Sequence, residues 1–77
     1  MIEVQYVGID SWNRPVFKGD NNAYYGSTDK LYPVGAAESE VLTNLTVEDL
    51  EYFGQEFDCE PMGTRPSQPL VIVPSNN

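Results

Sequence analysis

The chain has 77 residues, with twelve acidic side chains against four basic ones, no histidine and a formal net charge of −8. That length fits one domain over residues 1–77, whose core supplies only about 3–5 kcal/mol of net stability without a staple, so a deep cleft is not expected. The charge argues against direct nucleic-acid binding, which needs Lys and Arg to displace counterions, and against anionic membrane surfaces; a basic protein partner suits it.

Cys59 is the single cysteine, so no internal disulfide forms, and Met1 leads straight into IEVQYV without a basic n-region. A cytoplasmic protein without a secretory signal is expected. The longest apolar run, LVIV, is far below the roughly 20 residues that cross a bilayer, so no membrane span is predicted.

Residues 2–7 alternate Ile2, Val4 and Tyr6 with Glu3, Gln5 and Val7, the period-two pattern of a half-buried strand. Asp10 and Ser11 favour a turn because their short side chains bond nearby backbone. RPVFK then reads as a second strand, with Pro15 at its start or on an edge because proline cannot donate to a ladder. GDNN at 19–22 signals a turn and AYYG at 23–26 a third short strand. The pattern predicts a β-meander over 2–27.

Residues 27–40, STDKLYPVGAAESE, carry few apolar anchors and read mostly as loop, with 30–32 open to pairing. Thr46 and Asp49 have capping-box spacing, Leu45 and Leu50 the spacing of a hydrophobic staple, and Val47, Leu50 and Phe53 share a helical face that Gly54 would end. The spacing predicts a short helix over 47–53. QEFDCEP at 55–61 alternates Phe57 and Cys59 with Glu56, Asp58 and Glu60 and reads as a strand, MGTRPSQP as a loop, and LVIV at 70–73 as a closing strand. The fold expected is mainly β: a small antiparallel sheet or partly open barrel of 4–5 strands with one short helix, the alternative being α+β. Its core should draw on Ile2, Val4, Tyr6, Val16, Phe17, Leu50, Phe53, Phe57, Leu70 and Ile72.

From Glu38 to Glu60 the sequence holds eight of the twelve acids and no base. The helix dipole and the capping box account for Glu48 and Asp49. On a strand, Glu56, Asp58 and Glu60 would project from one face about 6.7 Å apart, a repulsive array unless something positive approaches. Its ordinary explanation is a solvated face that aids solubility. The sharper one makes Glu48, Glu51, Glu56, Asp58 and Glu60 a surface for a basic region of a larger protein, imitating nucleic acid whose phosphates recur about every 3.4 Å along a strand. Trp12 and Arg14 share a face if the second strand begins at Trp12, and with Tyr24 and Tyr25 they would form an interface patch of the residue types enriched at binding hot spots. The alternative makes the single Trp a lid on the core.

Chemistry finds little footing. Without histidine there is no near-neutral base and no Ser-His or Cys-His pair, and Asp58 and Glu60 would suppress a Cys59 thiolate. No enzyme, cofactor or zinc site is expected, and the calcium-loop pattern is absent. Loose Ca²⁺ binding by the 56–60 triplet is the one metal option.

DSWNRPVF at 10–17 and FDCEP at 57–61, together 13 residues, resemble the D-S-W-x-R-P-V-[FY] and F-D-x-E-P signatures of short uncharacterised proteins from bacterial and bacteriophage genomes, with Cys59 where Gly is expected. The resemblance implies a bacterial cytoplasm and a phage or prophage origin. By analogy of origin and charge, it suggests a small inhibitor of host defence, like the anti-CRISPR or anti-restriction proteins that mimic DNA. The alternative is an accessory or structural β module, homodimeric through an edge strand, whose acidity serves solubility only.

Overall fold

A computed structural model describes residues 1–57 and 64–74. The elements in chain order are β1 (Ile2–Ile9), β2 (Pro15–Gly19), β3 (Tyr24–Gly26), α1 (Glu38–Asn44), a 3₁₀ turn (Val47–Asp49), β4 (Glu51–Gly54) and β5 (Leu70–Ile72). The protein is mainly β: one five-stranded sheet in the order β4-β3-β2-β1-β5, curled into a half-barrel with one short helix.

The meander forms where the alternation places it. In β1, Ile2 and Val4 turn inward to burial while Glu3 and Val7 stay exposed. β1 and β2 pair antiparallel with Tyr6 opposite Phe17, and a bulge between Tyr6 and Gly8 reaims the end of β1. Gly8 there has φ +149°, open to glycine at little cost. Pro15 is the first residue of β2, where its missing N–H is tolerated. In the 19–22 turn, Asn22 takes φ +68° and the Gly19 amide donates to the Ala23 carbonyl at 2.8 Å.

The sheet is mixed rather than antiparallel, because β5 runs parallel to β1 with Ile2 opposite Leu70 and Val4 opposite Ile72. The expected helix over 47–53 does not form. The Thr46–Asp49 box is present, but it opens only a 3₁₀ turn. Beyond Leu50 the chain is strand β4, with Tyr25 opposite Tyr52 and Gly26 opposite Glu51; aromatic Tyr52 and Phe53 suit a pleated surface, and an open partner on β3 decides for the strand. The helix lies earlier, at Glu38–Asn44, partly inside the stretch read as loop. Residues 55–57 form a bend and turn instead of a strand, and the rest of the expected 55–61 strand, including Asp58, Cys59 and Glu60, lies outside the described residues.

The core joins Ile2, Val4, Phe17 and Leu50 with Ala23, Tyr25, Val41 and Leu45, while Tyr6, Leu70 and Ile72 pack against it partly buried. Val16 and Phe53 are buried as expected. Phe57 is not: it is 42% exposed, its ring meeting Tyr24 edge-on at 6.0 Å. Val41, fully buried, brings α1 onto the sheet, a placement worth about 1.5–3 kcal/mol per such side chain.

Candidate interaction surfaces

The DSWNR stretch is a turn built around a buried carboxylate. Asp10 Oδ1 accepts the amides of Trp12 (3.0 Å) and Arg14 (2.9 Å), while Oδ2 accepts Arg14 Nε (2.8 Å) and faces its Nη2 at 2.7 Å. Both residues are buried, Asp10 1% and Arg14 2% exposed, and the guanidinium carbon lies 4.0 Å from the centroid of the Phe53 ring. A buried charge persists only when paired and bonded in this way. Asn13 takes φ +62°, and its carbonyl accepts the Tyr32 amide at 2.9 Å while its Nδ2 donates to the Tyr32 carbonyl at 3.1 Å, which pins the 28–33 loop alongside.

This geometry dismantles the expected aromatic patch. Arg14 faces inward, so it cannot share an exposed strand face with Trp12, which sits in the turn before β2 and is 47% exposed. Tyr25 is buried at 3%, opposite Phe17. Tyr24 is half-buried beside Phe57 and Lys18, whose Nζ lies 5.8 Å from its ring centroid. Because Tyr24 pairs with Lys18, it stands about 10 Å along β2 from Pro15, toward the end away from the Trp12 turn.

The acidic stretch is base-free in sequence but meets bases in space. Lys30 Nζ contacts Asp49 Oδ2 at 2.9 Å and also donates to the Asn44 carbonyl, tying the loop to the end of α1 and to the capping box. Ser27 Oγ accepts the amides of Asp29 (3.2 Å) and Lys30 (3.0 Å), holding Lys30 in position. The Thr46 amide, and then Lys30, hold the Asp49 carboxyl below its ordinary value. Glu48 is exposed and Glu51 half-buried, with Thr28 Oγ1 at 3.3 Å from Glu51 Oε1. Glu56 is exposed in the bend after β4. Asp58 and Glu60 lie outside the described residues, so the carboxylate row over 56–60 has no described geometry. Among the described residues no cluster of acidic or cysteine side chains is arranged to hold a metal.

Glu48 and Glu51 do come together on the wall of an open groove of ≈ 580 Å³, with Val47, Leu50 and Leu70 as its apolar part and Arg65 on the facing segment. The curl of the half-barrel produces it. Thr64 pairs with Tyr52 on the outer edge of β4 (Tyr52 N to Thr64 O 2.7 Å), and the chain then crosses through 65–69 to β5. The groove is therefore the unclosed seam between the two ends of the sheet. Sequence reading missed it, since it joins residues some twenty positions apart; it also missed the Asp10–Arg14 pair, whose only signal was an acid opening a turn that a base closes.

No helix among the described residues is long and apolar enough to cross a membrane. Comparison of the chain with protein families, with curated proteins and with solved structures finds no match.

Proposed function

We propose that this chain is a small non-enzymatic binding protein that docks a carboxylate-bearing groove onto a basic surface of a larger protein. The observation that carries the reading is the placement of Glu48 and Glu51 on one wall of the seam beside apolar Val47, Leu50 and Leu70. Such a mixture suits binding: the apolar floor gains from burial, while charge on a molecule of net charge −8 steers a basic partner and raises the encounter rate. Trp12 and Tyr24 lie elsewhere on the surface, so the contact is centred on the groove and not on an aromatic patch. The finer form is a phage-type inhibitor that meets a nucleic-acid-binding host protein where its phosphates would sit, acting in the bacterial cytoplasm, as the resemblance of the 10–17 and 57–61 segments suggests.

Partners captured from a bacterial lysate at about 50 mM and about 500 mM salt test this, since screening over that range removes most exposed charge attraction. A partner retained by the wild type at low salt, lost at high salt and lost by Glu48→Lys/Glu51→Lys is the expected result. A partner held equally under all three conditions removes the carboxylates from the function. The second reading, an accessory β module that dimerises, is favoured by one observation, the position of β5 at the end of the sheet. Light scattering that finds a salt-insensitive dimer would select it.

A further inference from the structure

We propose that the partner is held along the outer edge of β5, and that the occupant is an extended basic segment which joins the half-barrel as a sixth strand. This rests on the binding reading above and names its partner chemistry. In the parallel ladder the Pro69 carbonyl accepts the Ile2 amide at 3.0 Å and the Val73 amide donates to the Val4 carbonyl at 2.9 Å. Since successive residues of a strand point their backbone groups to opposite sides, the N–H and C=O of Leu70 and Ile72 face the outer edge. Such an edge is a template for another strand where it clears the 3₁₀ turn Val47–Asp49, which packs against β5.

Two hollows border this strand in succession. The first, at Leu70, is the seam with Glu48 and Glu51 on its wall; the second, also ≈ 580 Å³, lies at Ile72 against Leu42 and Glu38 of α1. Leu70 and Ile72 stand two residues apart, about 6.7 Å, the spacing at which one face of an added strand presents its side chains. Both hollows are open, which suits a chain passing through more than a compact ligand enclosed in one. Each has carboxylate on its bank, so basic side chains at alternate positions complement both. The field is felt nearby: burial first, and then the charges of Glu38 and Glu40, push the Tyr6 phenol up. Arg65 in the first hollow supplies one position of opposite sign, which favours a single register over sliding.

The probe is an alternating Lys-Val octapeptide titrated into the ¹⁵N-labelled full chain. Its controls are a copy N-methylated at every second residue, which keeps the charge and loses donors on one edge, and an alternating Glu-Val peptide. The Lys-Val peptide should shift the amides of Glu51 and of Leu70 to Ile72 and slow exchange at Leu70 and Ile72. The N-methylated copy, and the Lys-Val peptide against Glu48→Lys/Glu51→Lys, should each bind at least about tenfold more weakly, and Glu-Val should not bind. No binding of the Lys-Val peptide overturns the proposal, as does equal binding of the N-methylated copy, a shift map centred on Trp12, or a dimer of this chain that already protects Leu70 and Ile72. Those outcomes leave the salt-sensitive capture standing; failure of the capture itself sinks the binding reading separately.

Discussion

Asp10→Asn removes the charge from the turn that orders the β1–β2 connection while preserving its shape. An amide keeps an oxygen for the backbone N–H groups of Trp12 and Arg14, which bond Asp10 at 3.0 and 2.9 Å. What it loses is the anion against Arg14 Nε and Nη2, 2.8 and 2.7 Å away, leaving a cation 2% exposed beneath the sheet. Two charge-assisted contacts are worth about 1.5–3 kcal/mol each before compensation, and removing one partner of a buried pair costs about 3–5 kcal/mol. With a core that supplies only about 3–5 kcal/mol of net stability, Asp10→Asn should lose about 3 kcal/mol and approach the limit of folding. Urea unfolding followed by circular dichroism and by Trp12 fluorescence measures the loss. Arg14→Met keeps the stem on Phe53 without the charge, and the double variant should recover at least about 1 kcal/mol over Asp10→Asn, because the buried guanidinium that lost its carboxylate is gone as well. A cost below about 1 kcal/mol for Asp10→Asn, or no recovery in the double variant, would refute the claim that charge pairing holds this turn.

Gly26→Ala should destabilise by about 1–3 kcal/mol, because a Cβ there collides with the Pro15 carbonyl oxygen and lies 2.9 Å from Phe53 Cζ; thermal unfolding reads it. Val41→Ala should cost about 2 kcal/mol and Phe57→Ala no more than about 0.5, although the sequence places Phe57 in the core and gives no sign of Val41; equal costs would contradict the observed burial. The Asp49 carboxyl is held below its ordinary value of 3.8, so its stabilisation is complete above that value and fades as pH falls through the lower folded value. Lys30→Met should cost about 0.3–1 kcal/mol near neutrality and flatten that acid loss, measured by urea midpoints from pH about 6 downward; an unchanged acid limb would remove Lys30 from the cause.

The meander was legible because period two survives in β1 to β3, where one side is core and the other solvent. The helix was not, for a local reason: Ala37 caps α1 without a side-chain bond, so its start leaves no signature. Thr46 and Asp49 leave a strong one on a segment whose later residues are claimed by β3. A cap specifies how a turn begins and nothing about how far the helix runs. The parallel pairing of β5 depends on a crossing through 65–69 that carries no periodicity. The sequence puts Arg14 on an exposed face with Trp12 only if the second strand begins at Trp12, and it begins at Pro15; the burial of Arg14 follows from Asp10 and from Phe53, contributed by a strand some forty residues away. Of the expected interface residues, Glu48 and Glu51 share a site because the sheet curls, a property of the whole chain.

The central claim is that the seam, and not the Trp12 turn, meets the partner. The most direct measurement is the map of ¹⁵N-amide shifts in this chain when the purified, salt-sensitive partner is added. The account predicts changes concentrated at Val47 to Glu51 and Arg65 to Ile72, absent from Glu48→Lys/Glu51→Lys. Changes confined to Ser11 to Asn13 and Leu31 to Val34, unaffected by that double charge reversal, would contradict it.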